Sequence, residues 1–176
     1  MLVVNAGSSS LKLRVVGGAG ADADPDADPD AVTATGNVDR WDGEADTGGL
    51  EGFLAGAGPV DAVGHRVVHG GADLVEPTVI DDDVEARILA LADLAPLHQP
   101  RSVAGIRAAR RLLPEVPHVA CFDTAFHATL PPAAASYALP AAWRDRWGLR
   151  RFGFHGLSHA WAVRRAAEIA AAAAGA

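Results

Sequence analysis

Four short segments of this 176-residue chain carry residue types that can handle a phosphoryl or carboxylate group. The first is Asn5-Ala-Gly7-Ser8-Ser9-Ser10-Leu11-Lys12. A glycine and three serines between two apolar runs offer backbone N–H groups and hydroxyls to an anion, and Lys12 supplies countercharge one step further along. The plainer alternative is a solvated serine turn. This is not a Walker loop, which needs Gly-Lys-Ser/Thr at the start of a helix, and no G-x-G-x-x-G occurs in the chain.

The second segment, Val63-Gly-His-Arg66-Val-Val-His-Gly-Gly71, puts an arginine inside an apolar run. A buried guanidinium needs an anion to fork onto: a bound ligand, or one of the chain's own acids. The third, Cys121-Phe-Asp123-Thr-Ala-Phe-His127, sets an acid where a buried strand ends. Strand ends expose ligand groups in α/β sheets, and aspartate there equally serves as a cap. The fourth is His155-Gly-Leu-Ser-His159. Histidines at i and i+4 share a helix face, yet the acid of H-E-x-x-H is missing, so helix capping and phosphate contact fit better than zinc.

These groups can meet only if the elements between them fold in the right order. Leu2 to Val4 and Leu11 to Val16 flank the serine cluster and read as a hairpin with a polar tip. Gly17 to Asp30 (GGAGADADPDADPD) is an acidic low-complexity loop with nothing to bury, and strand material resumes at Val32. Val60 to Val68 and Val75 to Ile80 are extended candidates. Asp81 to Leu94 predicts a helix, with three aspartates at its start, Val84, Ile88, Leu91 and Leu94 on one face, and Pro96 and Pro100 closing it. Ser102 to Leu113 predicts a second amphipathic helix, His118 to Phe122 a buried strand, and Ser158 to Ala174 a last helix. Strands alternating with helices make the class α/β, and the opening hairpin makes the sheet mixed.

Composition narrows the function. With 49% hydrophobic and 21% charged residues, the chain has an ordinary globular make-up and can bury a core. The net charge is -7, but five acids (Asp22, Asp24, Asp26, Asp28, Asp30) crowd the low-complexity stretch and leave only -2 for the rest. Nucleic-acid binding has no electrostatic support there. The lone Cys121 allows no disulfide framework, and a reducing cytoplasm is the expected compartment. The opening Met1-Leu-Val-Val reads as neither signal peptide nor anchor, and the apolar tract Ile169 to Ala174 falls far short of the roughly 20 residues a span requires, so no membrane role is expected.

In their order, the four segments resemble the acetate kinase family of acyl-phosphate-forming kinases, within the actin, sugar kinase and Hsp70 superfamily. Leu94-Ala-Pro-Leu97-His98-Gln-Pro100, Tyr137-Ala-Leu-Pro140 and Arg150-Arg-Phe-Gly-Phe154 extend the resemblance over nearly the whole chain outside 17–58. It implies an actin-like, ribonuclease H-like mixed-sheet domain over residues 1–148, with 149–176 opening a second, nucleotide-binding domain. Family members are more than twice this length, so most of that second domain is absent from the given sequence and the chain alone is expected to be nearly inert.

The implied reaction is reversible transfer of the ATP γ-phosphoryl group to acetate, giving acetyl phosphate and ADP with Mg²⁺; propionate or butyrate are alternative substrates. Asn5 would sit at the magnesium, and Ser8, Ser10 and Lys12 at the phosphates. Arg66 would hold acetate or acetyl phosphate, Asp123 is the family's catalytic acid or base, and His155 stabilises the transition state. Val68, Leu97 and Phe154 match the pocket for the acetate methyl, with His98 beside it. A homodimer is implied for full-length members. Acetate is already ionised at pH 7, so no general base is needed in that direction, and Asp123 is better suited to orienting Mg²⁺ or aligning Arg66. A non-catalytic carboxylate or phosphate binder, or a decayed remnant, are the rival readings. Gln99 departs from the family, which has Asn there.

Overall fold

The computed structural model describes residues 1–7, 9–17, 31–41 and 47–174. Ser8, and all of the acidic stretch except Gly17, lie outside the described residues. The elements are β1 (Leu2–Ala6), β2 (Ser10–Val16), β3 (Val32–Asp39), α1 (Gly48–Ala57), β4 (Val63–Val67), β5 (Thr78–Val79), α2 (Asp82–Ala90), α3 (Gln99–Leu112), β6 (His118–Phe122), α4 (Pro132–Ala135), α5 (Ala141–Trp147) and α6 (Gly156–Ala174).

The six strands form one sheet in the order β3-β2-β1-β4-β6-β5. The β1–β2 hairpin and the β2–β3 pair are antiparallel, β1–β4 and β4–β6 are parallel, and β5 closes the edge antiparallel to β6. The mixed α/β architecture is therefore the one expected.

Side chains alternate across a strand, so each strand serves two surfaces. Leu2, Val4 and Ala6 of β1, Leu11, Leu13 and Val15 of β2, and Val63 of β4 face a core with Trp41, Leu50, Ala108 and Ala109. Val67, Ala120 and Phe122 continue it against Ile80, Val84, Ile88, Val103 and Ile106. Helix α3 serves both parts, which is why its apolar stripe is fully buried at Val103, Ile106 and Ala109. On the opposite surface the register sets Lys12, Asn5, Arg66 and Cys121 in one row across four strands.

The boundaries of three helices differ from expectation for local reasons. Helix α2 begins as predicted, with Asp81 Oδ1 accepting from the Val84 N–H at 2.8 Å. It stops at Ala90, and a 3-10 turn (Ala92–Leu94) follows. Helix α3 starts at Gln99, three residues early, and carries Pro100 in its first turn. Proline there loses no hydrogen bond, because first-turn N–H groups have no intrahelical acceptor. Helix α6 starts at Gly156, two residues early, because the Gly156 N–H is held by the Asp123 carbonyl at 3.0 Å.

Gln99 also fastens the layers. Fully buried, it accepts from the His69 N–H (3.2 Å) and donates to the carbonyls of His69 (2.9 Å) and Ile88 (3.1 Å). It thus ties the segment after β4 to α2 and α3. Gln99→Ala is expected to cost about 2 kcal/mol by stranding the buried N–H and carbonyl of His69, read as a lowered urea midpoint; an unchanged midpoint would show that water replaces the amide. Among the described residues no helix is long and apolar enough to cross a membrane.

Candidate functional site

The site forms where parallel strands β4 and β6 end. Arg66 is the penultimate residue of β4, on the surface opposite the core, and Asp123 directly follows β6, its N–H bonded to the Val67 carbonyl at 2.9 Å. The parallel register sets the two side by side although they are 57 residues apart in sequence. Arg66 donates to Asp123 Oδ2 from NH2 at 2.6 Å and from Nε at 3.1 Å, and from NH1 to Asn5 Oδ1 at 3.3 Å. The Asp123 side chain is 3% exposed and that of Arg66 23%. The guanidinium thus keeps an open edge on the cleft while its other edge is fixed. Of the two partners weighed for Arg66, one of the chain's own acids is engaged, and that acid is another of the predicted site residues.

His155 arrives from the other side. It precedes α6 with φ of 55°, a left-handed backbone conformation uncommon outside glycine, and its carbonyl accepts the His159 N–H at 2.9 Å. The approach is so close that a Cβ on Gly156 would sit 2.1 Å from the Asp123 carbonyl oxygen, so only glycine fits. The same contact fixes His155 next to Asp123.

Two cavities share this corner. A groove of about 1030 Å³ runs between the sheet surface and the first turns of α6, lined by Val3, Asn5, Arg14, Arg66, Asp123 and His155 and roofed by Leu157, Ser158 and Trp161. A cavity of about 350 Å³ is lined by Arg66, Val68, Leu94, Ala95, His98, Asp123, Phe154 and His155. Arg66, Asp123 and His155 form the wall common to both. His98 Nδ1 is buried at the second cavity with no hydrogen-bond partner among the described residues, leaving a polar atom available to a ligand.

The structure brings together Asn5, Arg66, Val68, His98, Asp123, Phe154 and His155, and leaves others apart. Leu97, expected in the apolar pocket, lies outside it and is 74% exposed. The 3-10 turn before it aims Leu94 and Ala95 at the cavity and swings Leu97 outward. Lys12 shares the sheet surface of Asn5 and Arg66 but stands exposed outside both cavities. Ser10 is half-buried at the hairpin turn, its carbonyl accepting the Gly7 N–H at 2.9 Å. Sequence reasoning misses Arg14, Leu94, Ala95 and Trp161. Strand alternation from Lys12 signals Arg14, whereas no local signal marks the other three.

The donor chemistry also fits magnesium. Asn5 Oδ1 and the Asp123 carboxylate are hard oxygen donors at one end of the groove. Mg²⁺ is commonly held by one or two carboxylates, with water and substrate phosphates completing its shell.

A mixed sheet whose parallel strand ends bring arginine and aspartate to a cleft, with a histidine facing them from the start of α6, follows the α/β pattern of placing polar groups at strand ends. The acetokinase family model matches residues 53–174. The chain therefore belongs to the acetokinase family. It is 43% identical over 198 residues to the acetate kinase of Leifsonia xyli subsp. xyli, an alignment spanning 96% of this chain and 48% of that protein. Its structure superposes on Porphyromonas gingivalis acetate kinase with a TM-score of 0.80 at 32% identity, and on a propionate kinase from Francisella tularensis with 0.78 at 31%, each covering 97% of this chain and 48% of the other. The chain spans about half the length of the relatives it matches.

Proposed function

We propose that this chain provides the acyl-phosphate side of an acetate kinase active site, for reversible phosphoryl transfer between ATP and a short carboxylic acid. The observation that carries this reading is the wall of Arg66, Asp123 and His155 shared by a polar groove and a cavity lined by Val68, Leu94, Ala95 and Phe154. A methyl-bearing carboxylate placed there sets its tail against the apolar lining and its charge against the guanidinium.

The chemistry follows from charge. Acetate is ionised near neutral pH, so its oxygen attacks the γ-phosphorus directly, the bond from phosphorus to the β,γ-bridging oxygen breaks, and ADP departs with the electron pair. No proton moves. The obstacle is repulsion between two anions, and Arg66 and His155 lower it by donating to the oxygens where charge gathers. Asp123 holds Arg66 at a fixed angle through two hydrogen bonds to one oxygen. Magnesium bound with ATP would neutralise phosphate charge, with Asn5 and Asp123 as the residues to hold it. Lys12, opposite Asn5 on the hairpin, and the serines Ser8 and Ser10 are proposed as phosphate contacts.

A cavity of about 350 Å³ admits propionate and butyrate as well as acetate. One methylene separates these acids by only about 1–3 kcal/mol. A domain boundary near residue 149 accords with the left-handed Gly148 that ends α5 and with the exposed body of α6.

Titration calorimetry with acetyl phosphate tests the reading. Saturable binding that Asp123→Asn weakens is expected; no saturable binding by the folded chain defeats it. Trapping acyl phosphate with hydroxylamine in the presence of ATP, Mg²⁺ and acetate separates turnover from binding alone.

A further inference from the structure

The segment from Arg151 to His155 has no regular secondary structure, yet it delivers two cavity residues, Phe154 and His155. Backbone bonds tie down its ends: Arg151 N–H to the Ala135 carbonyl at 2.7 Å, and Gly156 N–H to the Asp123 carbonyl at 3.0 Å. His127 Nε2 lies 3.1 Å from the Phe154 carbonyl. None of these fixes the two phenyl rings between them.

Arg150 lies over the Phe152 ring, 5.1 Å from its centroid, and among the described residues one side chain meets both rings. The His69 imidazole, 2% exposed, meets Phe152 edge-on at 4.6 Å between centroids and Phe154 at 5.7 Å, with interplanar angles of 66° and 67°. Edge-to-face pairs at such distances are attractive and strongly directional. The imidazole itself has little freedom. Its Nδ1 accepts the Gly71 N–H at 2.9 Å, which puts the ring proton on Nε2, and its backbone N–H and carbonyl are both held by Gln99. Burial lowers its pKa, so the ring stays neutral and keeps the acceptor that Gly71 requires.

We infer that His69 is a positioning residue: a neutral imidazole, locked by Gly71 and Gln99, that props Phe154 and thereby sets the acyl side of the cavity and the placement of His155. It contacts neither cavity directly. This rests on reading the cavity as an acyl-phosphate site, and it extends that reading to a residue three positions beyond Arg66. The rigid path runs from helix α3 through Gln99 and His69 to the phenyl wall, so the ring facing the acyl group is fixed by the core of the sheet domain instead of by its own loop.

Two substitutions separate positioning from stability. His69→Asn preserves an acceptor for the Gly71 N–H and removes the ring, whereas His69→Phe preserves the ring and removes the acceptor. Affinity for acetyl phosphate and for inorganic phosphate is measured by titration calorimetry in each, alongside the melting temperature. In His69→Asn, acetyl phosphate binding is expected to weaken about tenfold, as a loosely held site does, while inorganic phosphate, which has no acyl group and still meets Arg66, weakens several-fold less. His69→Phe should melt lower and keep the wild-type ratio of the two affinities. A purely structural role moves both ligands together, in step with melting, and that result overturns the inference.

A readout without ligand separates this from failure of the acyl-phosphate reading. The imidazole resonances of His155 in ¹H–¹³C spectra should shift and broaden in His69→Asn and stay near wild type in His69→Phe. If wild type binds neither ligand, the acyl-phosphate reading falls and the spectra still judge the positioning. Unchanged His155 resonances in folded His69→Asn overturn it.

Discussion

Arg66→Ala is expected to lower folding stability by about 2–3 kcal/mol and to weaken acetyl phosphate binding by roughly 10 to 100-fold. The two losses share a cause. Asp123 is almost completely buried, and Arg66 supplies both of its side-chain hydrogen bonds among the described residues. Removing the guanidinium leaves a carboxylate out of water with no counterion, which costs more than the pair itself contributes. The figure is set at the lower end for such pairs because Arg66 keeps 23% of its side chain in solvent and part of the attraction is screened. Binding suffers separately, because the open edge of the same guanidinium is the forked donor that a carboxylate or phosphate requires. Urea denaturation and calorimetry measure the two effects. Adding Asp123→Asn to Arg66→Ala removes the stranded charge, so the double variant should recover stability but not binding. A wild-type urea midpoint for Arg66→Ala alone would show that the carboxylate finds another partner.

Stability should also fall by about 3 kcal/mol between pH 6.5 and pH 4, through a histidine pair that takes no part in the cleft. His65 and His118 stack in the core with ring centroids 5.3 Å apart, His65 Nε2 lying 3.0 Å from His118 Nδ1. His118 Nε2 lies 3.0 Å from the Leu113 carbonyl, which makes it a donor there, so in the neutral ring Nδ1 is the acceptor facing His65 Nε2. Burial, and then the charge of His118, lower the His65 pKa from 6.5 to about 3; burial chiefly lowers that of His118 as well. The unfolded chain takes up a proton at His65 near pH 6.5 and the folded chain only near pH 3, so the unfolded state binds more protons in that window. The contribution is therefore complete above pH 6.5 and is lost as the pH falls toward 3. Urea midpoints across this range read it directly. The variant His65→Asn/His118→Gln, which cannot titrate, should flatten the profile above pH 4; an equally steep fall in that variant would assign the acid sensitivity to carboxylates.

Local signals carried much of this structure. His118 to Phe122 is a strand with the bounds its apolar pattern predicts, and α2 opens at the aspartate cap. The start of α3 was obscured because proline reads as a stop, although the first helical turn tolerates it. Among the site residues, types and approximate elements were visible, but their pairings were not. Nothing near Arg66 in sequence announces Asp123, because the parallel register that joins them depends on α2 and α3 crossing between the strands. The left-handed backbone of His155 was equally hidden, since it follows from Gly156 pressing on the Asp123 carbonyl. Leu97 illustrates the limit at finer scale: a turn of three residues decided that Leu94 and Ala95, and not Leu97, reach the cavity.

Strands β1 and β4 spell two messages in interleaved letters. Leu2, Val4 and Ala6, with Val63, His65 and Val67, face the interior, while Val3, Asn5, Gly64 and Arg66 face the cleft. Deleting or inserting one residue within either strand would transpose them, sinking the guanidinium among aliphatic groups and turning valine toward the cleft. Exchange of one residue for another leaves the two faces apart, whereas a change of length does not. Functional homologues should align without gaps from Leu2 to Ala6 and from Val63 to Val67, and indels should collect in the loops that join them.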